Sequence, residues 1–504
     1  MPQFKEMPAS PSQIYLFPVS VEDSVPDDCD VRILSEVMDS LSWSELESSY
    51  KETGCPAYPP RVMAKVLAYA YSKGIRSSRK IEDLVKNDKR YIWLAGGLQP
   101  DHNTLARFRR DRWHELSNLY KDSVRVCSEA GLVLLNTVSA DGSRIAAQSS
   151  KRSMYGKSKL EREMERVEQI LREAEEVDKA EDELYGSGSG RELPNDLKDP
   201  SKRKAKLEEI ARRLRESKRK KISATEPDCR MMKTRNGNRP CYSLEAAVDS
   251  ENQIIVGMHV TQAENDHGQV PKLIEEVEAN TGLSPDVVLA DSGCSDEGTI
   301  KWLEENGQEA LIPPLEQAQE KERQDLFCSK CFLPDYERDV LICPAGRALR
   351  FTNEVNIHGR TYRAYRCRDC KRCSFQEECV KGPNNRQVMI SIVHKQKERM
   401  REKLKTPEGK ERYALRKQTV EPVFGQIKAN FGFDRLLLRG IEGATAEISL
   451  ICMAHNLVKC SRKAGITVCL ALRQGIYDLL STYLLSNRWN GSFRSKYIPI
   501  PTMF

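Results

Sequence analysis

Between Cys241 and Val260 the apolar pattern has a period of two, and no other stretch constrains the fold as tightly. Tyr242-Ser-Leu-Glu-Ala-Ala-Val-Asp249 and Gln253-Ile-Ile-Val-Gly-Met-His-Val260 are β-prone runs joined by the turn residues Ser250-Glu-Asn252. Such a pair predicts an antiparallel hairpin. A helix with Leu273, Ile274 and Val277 on its apolar side follows, then a strand over 286–290. A helix around 299–306 and a strand over 309–312, closed by Pro313-Pro314, complete the series. A hairpin followed by α-β-α-β predicts an α/β fold, a mixed sheet flanked by helices.

What surrounds this core differs in pattern. Residues 1–28, rich in Pro, Ser and Asp, suit an extended arm. Residues 29–130 are helical: Val62, Val66 and Ala70 with Met63 and Leu67 form one stripe. Ser77-Ser78 and Asp101 stand where helices begin. The helix after Asp101 carries Arg107, Arg109, Arg110 and Arg112, so this all-α N-terminal region suits DNA contact. Residues 131–150 begin the core. Residues 151–222 read as an inserted, charged helical hairpin, with a heptad seam at Leu160, Met164, Val167, Leu171 and Ala174 and a resumed seam at Leu207, Ile210 and Leu214. The core continues over 223–315, a Cys-rich insertion spans 316–393, and 394–463 is a long helical completion. Residues 464–504 form a tail.

Three acids stand out. Asp141 follows the apolar run 132–140 and Asp291 follows 286–290, both where strands present side chains. Glu421 lies in Tyr413-Ala-Leu-Arg-Lys-Gln-Thr-Val-Glu-Pro-Val-Phe-Gly-Gln-Ile-Lys428. At 3.6 residues per turn, Glu421 and Lys428 share nearly one helix face. An acid that holds a metal beside a base that holds a phosphate suits phosphodiester chemistry. Each acid has an ordinary alternative: Asp141-Gly142 as a turn, Asp291 as a helix cap, Glu421 as a surface acid. Asp249 is the main rival but precedes a hairpin turn, and Asp266 reads as a cap for the helix near His267.

The order Asp, Asp, Glu resembles the DDE transposases of bacterial insertion sequences. The resemblance runs over residues 10–460 and rests on Pro100-Asp-His-Asn-Thr-Leu-Ala-Arg-Phe-Arg109, Ala140-Asp-Gly-Ser-Arg-Ile145, Leu289-Ala-Asp-Ser-Gly293 and Val420-Glu-Pro-Val-Phe-Gly-Gln-Ile-Lys428. Leu436-Leu-Leu-Arg-Gly440 and Ala454-His-Asn-Leu457 add to it. It implies a ribonuclease H-like core and a catalytic triad of Asp141, Asp291 and Glu421 holding two Mg²⁺ or Mn²⁺ ions. It also implies Arg416 and Lys428 as phosphate contacts, and terminal inverted repeats and target duplex as partners of a homo-oligomer. Two departures are visible. Four residues separate Arg416 from Glu421 where many relatives have three, which would turn Arg416 off the expected face. Tyr242-Ser-Leu-Glu245 stands where relatives often carry Asn and Gln. The rival readings are a structure-specific nuclease on the same fold and a domesticated zinc- and DNA-binding protein with an inactive core.

Seven of sixteen cysteines fall between Cys328 and Cys379. Pairs spaced Cys-x2-Cys suit tetrahedral Zn²⁺. Either the two outer pairs form a ribbon, or Cys343, Cys367, Cys370 and Cys379 bind together, the set the related Cys-Pro-x-Gly pattern implies. Arg347, Arg350, Arg360, Arg363, Arg366, Arg368, Lys371 and Arg372 make this block basic. The net charge of +6 is small for 504 residues, but 202–221 holds eleven Lys/Arg against three Glu. No run of 18 apolar residues and no basic-plus-apolar leader occurs, so a cytoplasmic protein with no membrane partner is expected.

Overall fold

The computed structural model describes residues 20–50, 56–185, 195–217, 219–314, 327, 331–357, 360–380 and 384–463. The N-terminal arm up to residue 19, the tail from 464, Cys328 and the glycine-rich 186–190 lie outside them.

Seven helices come first: α1 (Asp30–Asp39), α2 (Ser44–Ser48), α3 (Pro60–Ser72), α4 (Ser78–Asn87), α5 (Lys89–Leu94), α6 (His102–Asp111) and α7 (Trp113–Glu129). The α3 stripe is buried as its spacing predicts: Met63, Val66, Leu67 and Ala70 are at most 1% exposed. Asp101 caps α6 by accepting the amides of Asn103 and Thr104. These helices share one continuous apolar core with the sheet and with the last described helix, Gly440–Lys463. That last helix is apolar on most sides (Ala444, Ile448, Ile451, Met453 and Leu457 are fully buried), as a helix wrapped by neighbours must be.

The central sheet contains β1 (Val138–Ala146), β4 (Arg230–Thr234), β5 (Gly237–Asp249), β6 (Ile255–Thr261), β7 (Val288–Leu289) and β8 (Ala310–Leu311). The hairpin β5/β6 is as expected, and β5 also pairs antiparallel with β1. On the other side of β1, β7 and then β8 run parallel to it. The path β6-β5-β1-β7-β8 is therefore a mixed sheet, with β4 on the outer part of β5. Helices α10 (Gln269–Thr281) and α11 (Glu297–Glu305) join β6 to β7 and β7 to β8.

One expectation shifts here. The strand does not fill the apolar run 132–140; it begins at Val138, after Leu135 takes a positive φ of 59°. Asp141 thus sits inside β1 rather than at its end. It is β7 that stops early, leaving Asp141 beyond its neighbour's last paired residue.

Two insertions leave this core. Helices α8 (Lys157–Tyr185) and α9 (Asn195–Ser217) pack as the predicted hairpin on Leu160, Val167, Leu207 and Ile210, closed at the base by β2 (Met154–Tyr155) against β3 (Ile222–Ser223). The Cys-rich block forms an antiparallel sheet of β9 (Leu333–Asp335), β10 (Val340–Ile342), β11 (Ala348–Ile357), β12 (Arg360–Arg366) and β13 (Gln387–Ser391), with a short helix α12 (Gln376–Cys379).

The closing helical region is broken rather than continuous: α13 (His394–Lys405), α14 (Pro407–Gly425), a π turn over Gln426–Asn430, then α15, the Gly440–Lys463 helix. Thr406 caps α14 and Pro407 fills its first turn. Pro422 has no amide to offer the Gln418 carbonyl one turn back; Gln253 Nε2 donates to that carbonyl instead, at 3.0 Å. After the π turn, Arg435 pairs with Ala146 at the end of β1. Asn456 of α15 grips β6 through both the amide and the carbonyl of Ile255, each at 2.9 Å.

Candidate active site

Parallel pairing sets two of the three acids side by side. Val138 lies opposite Val288 and Ser139 opposite Leu289; two residues further along each chain come Asp141 and Asp291. Asp291 caps the 3₁₀ turn Ser292–Cys294, its Oδ1 accepting the Gly293 amide at 2.8 Å. The cap expected as its ordinary role is therefore present, at the position where a ligand is also expected. Asp141 Oδ1 accepts the Gly142 amide at 2.9 Å, and Arg416 Nη1 reaches its Oδ2 at 3.1 Å.

Burial pushes the Asp141 carboxyl up to about 6; the Arg416 guanidinium opposes this, and Asp291 adds to it. Two further acids join them: Glu245, with no site role assigned from the sequence, and Asp266, assigned there to a helix cap. Glu245 is 2% exposed and lies opposite Gly142 on β5. A Cβ at Gly142 would come within 2.7 Å of its Oε2, so any larger residue there requires the buried Glu245 carboxylate to shift. Burial raises Glu245 to about 7, with Asp266 and Asp141 adding to the shift and the Ser243 hydroxyl opposing it. Asp266 is also raised, by burial and then by Asp291. It does not cap the next helix with its side chain: Gly268 is the N-cap of α10, and the Gly268 amide goes to Asp296 Oδ2. The Asp266 carboxylate turns toward Gly293 instead. The buried Cys294 thiol is raised by burial and by all four carboxylates, which places it among them. The available signal was an acid inside the otherwise neutral strand Tyr242–Val248. Asp249 behaves as expected, accepting backbone amides at the hairpin turn and from Leu134 and Leu135.

The third acid is placed differently. Arg416, expected off the facing side of its helix, is the residue that reaches Asp141, and Tyr413 packs against Leu289 and Leu311 at the strand ends. Glu421 follows Arg416 by five residues, about 140° further round the helix, and is exposed. Lys428 lies inside the π turn Gln426–Asn430, which interrupts the α-helical spacing between it and Glu421. Lys428 Nζ is half-buried and donates to the Arg144 carbonyl of β1 at 2.7 Å. Among the described residues, no group of three acidic, histidine or cysteine side chains could hold a metal ion as it stands.

The N-terminal arginines divide. Arg107 and Arg110 are exposed, Arg110 paired with Asp111. Arg109 is 4% exposed and donates to the Tyr71 hydroxyl and the Arg76 carbonyl. The DNA-facing role expected of Arg109 does not fit this position, because a side chain inside the core cannot meet a phosphate. On α9, Arg203, Arg212 and Arg213 are paired with glutamates, while Lys202, Lys206 and Arg215, and Lys220 and Lys221 just beyond the helix, are exposed. Cys343, Cys367, Cys370, Cys373 and Cys379 line one small cavity in the insertion.

The core is mixed α/β, with acids gathered just past the end of the parallel pairing of β1 with β7. Residues 342–461 match the family described as Transposase DDE domain, and residues 19–111 match the Transposase domain (DUF772). Together they bear out the resemblance to DDE transposases read from the sequence. No curated protein matches the chain. Among solved structures, the Mos1 transposase paired-end complex with left transposon end aligns at 10% identity over 53% of this chain and 65% of that one, with a TM-score of 0.15. The chain thus covers less than two thirds of that protein, and a likeness so loose carries no argument. No described helix is long and apolar enough to cross a membrane.

Proposed function

We propose that this chain is a transposase that binds the terminal inverted repeats of a mobile DNA element, hydrolyses the strand at each end, and joins the freed 3′-OH to target DNA. The observation that carries the reading is the register that sets Asp141 beside Asp291 at the edge of parallel strands. The strand order, antiparallel on one side of β1 and parallel on the other, supports a ribonuclease H-like core.

The donor set fits a hard divalent cation. Carboxylates that raise one another's proton affinity are relieved by positive charge, and Mg²⁺ needs only one or two of them, with water and phosphate completing its shell. Asp141 and Asp291 would hold Mg²⁺ or Mn²⁺, with Glu421 as the third acid. Two such ions, when bound, supply an activated water and a stabilised leaving oxygen. Arg416 holds Asp141 in place and balances part of its charge. Lys428 fixes the π turn after α14 against β1. Arg107, Arg110 and the exposed lysines of α9 meet phosphates, positioning duplex without reading its sequence. Arg350 and Arg366, exposed and directly opposite across β11 and β12, are a like-charged pair that an anion would stabilise. Bringing two ends together makes a homo-oligomer on DNA part of this reading.

The test uses a duplex ending in the element's terminal repeat, a target plasmid and Mg²⁺. Joined products support the proposal. Hydrolysis without joining favours the nuclease reading, and no cleavage with Mg²⁺ or Mn²⁺ overturns both.

A further inference from the structure

The insertion brings cysteines from three separate turns to one cavity, and its backbone is arranged around their sulfurs. At the first turn, Cys343-Pro-Ala-Gly346, the Cys343 amide bonds the Arg347 carbonyl and the Arg347 amide points at Cys343 Sγ, at 3.3 Å. Gly346 takes a φ of +74°, which lets the chain fold back on the sulfur. At the second turn, the Cys367 amide bonds the Arg386 carbonyl and the Arg386 amide points at Cys370 Sγ, at 3.4 Å. A neutral thiol is a weak acceptor; spending two backbone amides on sulfur suits thiolates. The same two arginines tie the turns together. Arg347 donates to the Asp369 and Arg372 carbonyls, and Arg386 to those of Cys379 and Phe327. Cys367 and Cys370 are buried in the small core of this unit, with Cys343 and Cys379 packed against it; Cys373 is not part of that packing.

We infer that Cys343, Cys367, Cys370 and Cys379 form a structural four-thiolate Zn²⁺ site, with Cys373 as the spare thiol. Four cysteines brought together from three turns match the tetrahedral preference of Zn²⁺, and thiolates select it over Mg²⁺. The thiols do not stand at ligand spacing among the described residues. The site would lock the insertion beside the catalytic core, which it touches where the Thr361 amide meets Glu297 Oε2 at 2.9 Å.

The experiment is elemental analysis and Co²⁺ substitution of the full chain, purified under reducing conditions. About one zinc per chain is expected, with Co²⁺ giving the intense thiolate charge-transfer and tetrahedral ligand-field absorption. Cys373→Ser should keep both signals, whereas Cys343→Ser and Cys370→Ser should lose them. Asp141→Asn should keep its zinc, so failure of the active-site reading leaves this site standing. Absence of zinc together with no tetrahedral Co²⁺ spectrum overturns the inference, even in protein that cleaves DNA. Loss of the metal in Cys373→Ser overturns the ligand set.

Discussion

Arg416 Nη1 stands 3.1 Å from Asp141 Oδ2, linking the helix that carries Glu421 to the strand that carries the first acid. This pair is the direct contact between the late helix and the acid edge, and Glu421 itself faces solvent. The two helix positions therefore make different demands on experiment.

Replacing Asp141, Asp291 or Glu421 with Ala should abolish cleavage and leave binding to element ends largely intact, because the ions act on the chemical step. Cleavage and gel-shift assays on the same preparations separate the two. Glu245→Gln is the informative companion. If Glu421→Ala cleaves near normally while Glu245→Gln does not, the third acid is on β5.

The acid edge should respond to pH in opposite senses with and without divalent ion. Asp141 and Glu245 titrate at about 6 and about 7, above their ordinary values of 3.8 and 4.5. Their contribution to stability is full below the ordinary values and is lost as pH rises through the folded ones. A bound cation must displace those protons. Mg²⁺ affinity should rise about tenfold per pH unit for each proton displaced, up to pH 6 to 7. Calorimetric titration in buffers of different ionisation enthalpy would count the protons. A pH-independent affinity would place the ion elsewhere.

Arg107→Ala with Arg110→Ala should weaken binding to element ends and reduce the salt slope by about one per lost phosphate contact. Arg109→Ala should act on folding instead. It strips partners from Tyr71 and the Arg76 carbonyl inside the core, a loss of about 3 kcal/mol. Denaturant melts and salt-dependent binding isotherms distinguish the neighbours.

Gly142→Ala should damage the site without touching any acid. The added methyl meets both Glu245 oxygens, at 2.7 and 2.9 Å. A cost of about 1–3 kcal/mol is expected, together with loss of Mg²⁺-dependent cleavage. An unchanged thermal midpoint would mean that Glu245 can move aside freely.

Local pattern determined much of this molecule. Alternation in 242–260 specified the hairpin, the stripe in α3 its buried face, Asp101 the cap of α6, and the heptad positions Leu160 and Val167 the inserted hairpin. These follow from periods of 2 and 3.6, which a chain expresses wherever it lies. The two strand-associated aspartates were legible for the same reason. What the tertiary structure alone decided is how distant segments face one another. Antiparallel pairing of β5 with β1 turned Glu245 over Gly142, and Asp266 came in after β6. Neither carries a local signature, since an acid inside a strand becomes telling only when other acids converge on it. Likewise four arginines near one helix look alike in sequence, yet packing of α6 against α4 and α15 buries Arg109 and leaves Arg107 and Arg110 in water. The π turn over Gln426–Asn430 broke the α-helical spacing by which an ideal helix would have aligned Glu421 with Lys428.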